Sequence, residues 1–355
     1  MNHSTLASAP PPGLQPTAGQ VRGRRRAARL RTGLLLMAAA ALIAALTVAA
    51  LLLGAADLTG DAVLRGLFGV GSKGENLIVQ TLRLPRVGAA LLAGAAFGLA
   101  GAVFQAVLRN PLASPDILGI SSGASLGAVV AVLGLGWSGV AVSLSAFAGA
   151  LAVAGLIWGL AWRQGLHGLR FVLVGVGLAY LTGSLTGWLL SQATVREAQP
   201  VLLWTVGSVA DVRGGSLGGL ALLVGAFSLL VASAARPLRV LPLGDELAAG
   251  LGARPNLARV VLLLAAVGLV ASATSLTGPI AFVALLAAPV ARLLQGDGGP
   301  ALALSAATGA LLTLTADVLG QHALAGVVAP VGIVTGLIGA PYLILLLARQ
   351  RKAAA

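Results

Sequence analysis

The sequence predicts an all-α membrane protein: a polytopic bundle of about ten transmembrane helices in two inverted halves, with both termini cytoplasmic. Three observations lead there. Of 355 residues, 58% are hydrophobic and only 9% charged, where a soluble domain carries roughly 25% charged residues. Uncharged runs long enough to cross a bilayer core, at about 1.5 Å per residue, recur along the chain. The arginines fall between those runs rather than along one solvated face, so the formal charge of +13 is a topology signal and not a nucleic-acid footprint. The 49 glycines suit helices that pack through small side chains. The absence of cysteine excludes disulfides, thiolate metal sites and thiol catalysis.

The elements follow in chain order. Residues 1–21 are rich in Pro, Ala, Gly and Ser and carry no charged side chain, a composition that cannot bury enough apolar surface to fold. With Arg22, Arg24, Arg25, Arg26, Arg29 and Arg31 they make a disordered basic cytoplasmic tail over 1–32. That tail fixes topology, with binding of anionic membrane lipid as the alternative role. Residues 33–53 run without a charge, longer than the roughly 7–15 apolar residues of a signal peptide. No convincing cleavage site precedes Asp57, so this is a retained first span. Further apolar runs cover 87–108, 117–136, 140–162, 171–191, 214–235, 260–277, 279–295, 300–317 and 330–348. The transmembrane domain therefore extends over 33–350, and a short cytoplasmic tail, 351–355, follows. Starting inside, 17 Lys and Arg fall on the cytoplasmic side and 6 outside, which supports this orientation by the positive-inside rule.

Two external segments are long: 54–86, with Asp57, Asp61 and Glu75, and 192–213, with Arg196, Glu197, Asp211 and Arg213. The main internal loop, 236–259, is different. Pro237 and Pro242 open it, Gly244-Asp245-Glu246-Leu247-Ala248-Ala249-Gly250-Leu251-Gly252 follows, and Pro255 breaks it. Asp245 and Glu246 fall in a first helical turn, where the dipole favours them, and Gly250 or Gly252 ends the helix. A short amphipathic helix on the cytoplasmic surface is expected.

The most specific stretch is Arg83-Leu84-Pro85-Arg86, then the uncharged run 87–108, then Arg109-Asn110-Pro111-Leu112-Ala113-Ser114-Pro115-Asp116. An arginine bounds each end of the span, where its charge reaches headgroups or water. Beyond it, Gly119-Ile120-Ser121-Ser122-Gly123-Ala124-Ser125-Leu126-Gly127 opens another span on small residues, the mark of a tightly packed bundle. A weaker echo links the halves. Arg86 heads the second span and Arg259 the seventh, and each run leads to a proline, Asn110-Pro111 and Gly278-Pro279, as in inverted repeats.

This block resembles the permease subunits of ATP-binding-cassette importers for ferric siderophores, haem and cobalamin, the FecCD family, over about residues 33–350. The resemblance implies two permease subunits, identical or paralogous, working with two copies of a separate ATPase subunit and an extracytoplasmic substrate-binding protein in the cell membrane. It implies ferric siderophore as the first substrate, with haem and cobalamin behind it. It assigns ATPase coupling to Gly244, Asp245, Glu246, Leu247, Ala248, Gly250, Leu251 and Gly252, for which the bland alternative is an ordinary structured loop. It assigns binding-protein docking to Arg83 and Arg86, where steering by charge competes, or coexists, with interfacial snorkelling. It assigns the translocation path to the fifth span, with Thr182, Ser184 and Thr186, and to the last, with Pro330, Gly332, Thr335 and Gly336. Simple helix packing is the alternative for any one of these. Prolines 330 and 341 and three glycines in the last span predict a broken or kinked helix there. The chain departs from the family pattern in one place: Gln321-His322 stand where many relatives carry Arg, and Ala329 stands where they carry Glu before Pro330.

Other chemistry is excluded. Only two lysines occur, Lys73 and Lys352, and neither lies in a phosphate-binding glycine loop, so ATP hydrolysis belongs to another subunit and this chain is not an enzyme. No metal-ligand spacing is present, His322 has no second ligand beside it, and no cofactor is expected. An ion-coupled secondary carrier is the alternative of a different class. It usually needs carboxylates or His at mid-membrane, and the spans offer only Asp317 at an outer end and Arg292 near an inner one.

Overall fold

The computed structural model describes residues 18–54, 56, 58–162, 168–323 and 328–354, and residues 1–17 of the expected tail lie outside them. Helix α1 (Ala18–Leu52) begins just ahead of the basic stretch, so the residues expected as the end of a disordered tail are the first turns of the first helix. The external segment folds as α2 (Gly60–Leu67) and α3 (Lys73–Asn76). Thr59 caps α2 by accepting from the Ala62 N–H, and Ser72 and Glu75 form a reciprocal capping box on α3. A π turn (Leu77–Arg83) runs straight into α4 (Leu84–Leu108). Pro85 is tolerated because it sits in the first turn of α4, where its missing N–H costs little. Next come α5 (Ile120–Val129), which continues as a π turn (Val130–Gly134), α6 (Val140–Ala161) and α7 (Gly168–Gln192).

The second half repeats this plan after α8 (Val195–Val206), which Glu197 starts by accepting from the Thr194 N–H at 3.1 Å and its hydroxyl at 2.7 Å. Its spans are α9 (Gly214–Ser233), α12 (Pro255–Thr277), α13 (Val283–Gln295), α14 (Leu302–His322) and α15 (Val331–Ala354). Between α9 and α12 lie α10 (Ala235–Val240), a 3-10 turn (Leu241–Leu243) and α11 (Asp245–Gly250). Seven described helices are long and apolar enough to span a membrane, and three shorter apolar ones, Ile120–Gly134, Val283–Gln295 and Val331–Ile344, fill the remaining expected positions. Of the break or kink expected in the last span, the break is not seen. It runs unbroken from Val331, with Pro330 just ahead of it and only Pro341 inside, where the missing N–H leaves the Leu337 carbonyl without its helical donor.

The inverted halves show in the packing. Helix α4 lies on α14 while its counterpart α12 lies on α6, and α4 and α12 pack on each other at the centre. Within the halves, α5 packs on α6 as α13 packs on α14. Small residues make these approaches possible, since lipid supplies no hydrophobic force between helices and close van der Waals fit must do so. A Cβ on Gly98 would strike the Ser305 carbonyl, one on Gly101 the Ala284 carbonyl, and one on Gly309 the Gly94 carbonyl. In the first half Gly123 and Gly149 face each other in the same way. Phe97, Phe104, Leu262, Leu263, Leu269 and Leu314 fill the centre and are fully buried.

Contacts across the chain also sort the helix ends into two sets. At one end Arg83 reaches the carboxy end of α1, Arg86 reaches Asp317, and Gly332 meets Val206 and Gly207. At the other, Arg109 reaches Leu241 and Arg31 lies against Gly296. These are the outer and inner ends that the charge count assigns, and the described chain enters and leaves at the inner one.

Candidate functional site

The internal loop supplies the most developed surface feature. Gly244 takes a φ of +104° before α11, and Gly252 a φ of +83° after it, conformations that L side chains rarely adopt. Between them Asp245 and Glu246 occupy the first turn, as expected. Ala248 is fully buried against the body of the protein, while Leu243, Leu247 and Leu251 stand out at 55%, 63% and 66% exposure. Leu247 and Leu251, four apart at the end of α11, fall on one side of it, and Leu243 stands in the turn ahead of Gly244. Two clamps hold this helix. Arg259, in the first turn and a half of α12, donates to both oxygens of Asp245, at 2.8 and 2.5 Å, and these bonds hold the Asp245 carboxyl below the usual carboxylate range. Arg109, the left-handed cap of α4 (φ 51°), donates to the Leu241 carbonyl. The loop is thereby tied to α4 and α12, the two central helices of the bundle.

At the outer end both expected docking arginines have partners within the chain. Arg83 donates to the carbonyls of Leu51 (2.5 Å), Leu52 (3.3 Å) and Ala56 (2.7 Å), closing the carboxy end of α1. Arg86 grips Asp317 through Nε (3.1 and 3.0 Å) and Nη2 (2.8 Å), and Gln321 Nε2 donates to the same carboxylate at 2.8 Å. The departure at Gln321 is thus part of an ion-pair cluster joining α4 to α14. More exposed is the cluster of Arg65, Asp61 and Glu75, in which Arg65 bridges both carboxylates.

The expected path residues are divided. On α7, Ser184 is exposed and Thr186 half-buried, whereas Thr182 is 5% exposed and returns its hydroxyl to the Leu178 carbonyl at 2.8 Å. On α15, Thr335 is buried and donates to the Gly332 carbonyl at 3.2 Å, Pro330 is half-buried, and Gly336 has open space where a Cβ would be. Gly332 lies in a tight junction at the outer end, where the Gly332 N–H donates to Gly207 O (3.1 Å) and Ser208 N–H to Thr277 O (2.7 Å). Most of α7 is open to its surroundings: Tyr180, Leu181, Ser184 and Trp188 are exposed, and Gly177, Gly183 and Gly187 meet nothing.

Three polar contacts were missed by sequence reasoning. The Arg86–Asp317 pair joins the one arginine and one aspartate at the outer ends of two spans. Arg292 donates to Gln105 Oε1 at 2.5 Å, and Gln105 Nε2 to the Leu285 carbonyl at 3.1 Å, so the lone polar residue of the second span meets the lone charge of the eighth. Ser121 donates to Asp116 Oδ1 at 2.5 Å, within the signature block itself. The common signal was isolation, because a polar group in an apolar helix needs a partner.

Comparison with known proteins agrees with this architecture. Residues 41–349 match the model of the FecCD transport family. The chain is 37% identical over 299 residues to the ferric enterobactin transport system permease protein FepG of Escherichia coli, covering 84% of this chain and 91% of that one. It is 40% identical over 300 residues to the achromobactin transport system permease protein CbrC of Dickeya dadantii, covering 81% and 84%. The solved chain of a metal-chelate type ABC transporter in an inward-facing conformation superposes with a TM-score of 0.76 at 26% identity, over 89% of this chain and 99% of that one. This multi-pass membrane protein is a transport subunit, and it belongs to the FecCD transport family.

Proposed function

We propose that the chain is the permease subunit of an importer that moves a ferric siderophore across the cytoplasmic membrane, driven by a separate ATPase subunit bound at α11. The observation that carries the coupling role is the double clamp on the internal loop. Force must pass between two proteins through a rigid element, and α11 with its flanking turns exposes Leu243, Leu247 and Leu251 while Asp245–Arg259 and Arg109–Leu241 tie its base to α12 and α4. A push on the leucines would reach the bundle's centre without being absorbed by a loose loop. The substrate assignment is supported by the relatives, whose names specify ferric enterobactin and achromobactin. It also suits a path that carries hydroxyls and glycines rather than charges, with binding strength left to a delivery protein. The open face of α7 is where a second permease subunit would pack, the path then running between the copies past Ser184, Thr186 and Gly336. Docking of the binding protein would fall on the outer surface around Arg83, Arg86 and the Arg65 cluster.

The test is ATPase activity of the reconstituted complex with cognate ATPase subunit, binding protein and ferric siderophore. Glu246→Arg and Gly250→Trp should each lower the stimulated rate tenfold or more, with unchanged thermal stability of the permease. Uptake into vesicles that follows an ion gradient and ignores ATP would remove the importer reading.

A further inference from the structure

At the inner end of the bundle a cavity of about 1590 Å³ opens between α1, α4, the α9–α10 corner and the start of α14. That exceeds the roughly 300–1,000 Å³ of ordinary small-ligand pockets. Four arginines from four separate places in the sequence converge on it: Arg29, Arg109, Arg239 and Arg292. One carboxylate, Asp297, lies on its rim, and that group already accepts from Gln295 Nε2 and from the Gly299 N–H, both at 2.8 Å. Among the described residues none of the four arginines forms an ion pair. Two of them use donors elsewhere, Arg109 on the Leu241 carbonyl and Arg292 on Gln105. The rest of the lining mixes half-buried Leu36 and Leu302 with polar Thr32, Gln105, Ser228 and Gln295. Helix α1, which forms one wall, turns Leu30, Leu34 and Met37 outward at 61%, 62% and 64% exposure, so the cavity borders the lipid side of the bundle.

We propose that this cavity binds the phosphate headgroup of an anionic phospholipid of the inner leaflet, the arginines at its mouth taking the phosphodiester and the leucines its upper acyl chains. Arg29, Arg109 and Arg239 are exposed and Arg292 is half-buried, so four cations face one carboxylate around the cavity and attract an anion to it. Guanidinium groups match phosphate oxygens through two parallel donors. Basic pockets between spans on the cytoplasmic side suit such headgroups for this reason. A free oxyanion would satisfy the arginines but not the leucines. The lipid would sit beside Leu238, Arg239 and Pro242, which belong to the segment leading into α11.

The full chain is reconstituted in phosphatidylcholine nanodiscs containing a minor fraction of phosphatidylglycerol, and lipids retained on release are counted by native mass spectrometry. Wild type should retain phosphatidylglycerol well above its bulk share. Each arginine near a membrane surface contributes about fivefold in partition, so Arg29→Gln with Arg239→Gln should reduce the enrichment roughly 25-fold. Ala106→Trp, which fills the cavity without touching charge, should reduce it similarly, and Arg196→Gln with Arg213→Gln on the outer side should leave it unchanged. The proposal fails if phosphatidylcholine is retained equally, if the double variant keeps its enrichment at an unchanged melting temperature, or if 10 mM inorganic phosphate displaces the bound lipid. It also fails if the cognate ATPase subunit displaces the lipid, because the arginines would then serve a protein contact. Lipid retention is read without transport, so it stands or falls apart from the substrate assignment.

Discussion

Asp317 is 1% exposed in a span surrounded by apolar side chains, and it stays there because Arg86 and Gln321 bring donors to both of its oxygens. Removing one partner of such a pair is worse than removing both, since a lone charge is left desolvated. Asp317→Ala should therefore lower stability by about 2–3 kcal/mol, less than the full buried-pair value because Arg86 keeps some contact with solvent. The double change Arg86→Met with Asp317→Leu should regain most of it, as read by melting temperature in detergent. Asp116 is the opposite case. Its carboxylate has Ser121 as a donor to Oδ1, but Oδ2 is sealed from solvent without a partner among the described residues, although the residue as a whole is half-buried. Burial pushes its pKa from 3.8 up to about 6. Because the folded value is raised, the folded state holds the proton more tightly. Stability is then greatest below the unfolded value, declines between about pH 4 and 6, and is level above that. The shift corresponds to at most about 3 kcal/mol. Asp116→Asn should flatten this slope and leave the protein more stable than wild type at pH 7; a wild-type melting temperature that does not fall between pH 4 and 6 would contradict the assignment.

At the level of whole helices, the crossings depend on glycines that a single methyl group would spoil. Gly101 of α4 has the Ala284 backbone where its Cβ would go, and backbone cannot move aside as a side chain can. Gly101→Ala should cost about 3 kcal/mol or more, at the top of the usual range for overpacking. Gly183→Ala on the open face of α7, where nothing lies within 4 Å, should be neutral or add about 0.5–1 kcal/mol from helix propensity. The pair of melting temperatures tests the packing directly. Much of this scale was legible in advance: length and hydropathy marked the seven long apolar helices and the three shorter ones, and Asp245 and Gly250 bound α11. What was not legible depended on partners far away in sequence. The start of α1 at Ala18 was hidden because arginines lower hydropathy while remaining good helix formers. Pro330 and Pro341 read as a broken or kinked last span; the helix begins just after Pro330 and continues through Pro341 without a break. Thr182 and Thr335 read as lining, and in the chain both are buried, their hydroxyls, like that of Thr186, bonding back to their own helices, an option that polarity alone does not reveal.

For the molecule as a whole, the separation of helix ends into two sets fixes which loops share a side but not which side faces the cytoplasm. The charge count supplies that second fact: moving an arginine-rich segment across the membrane is opposed, and the inner set holds 17 of the 23 Lys and Arg. The cysteine-free sequence makes the assignment directly measurable, since any introduced thiol is the only one present. Lys73→Cys, at the start of α3, and Arg254→Cys, beside α11, are both at solvent-facing positions and belong to opposite sets. A membrane-impermeant maleimide added to intact cells should label the first and leave the second untouched until the membrane is opened. The inverse pattern would place α11 outside, where no ATPase could reach its leucines. Labelling of both in intact cells would break the two-set arrangement itself. Only the expected pattern leaves the clamped helix, and the arginine-lined cavity beside it, on the side where an ATPase and an inner leaflet are both at hand.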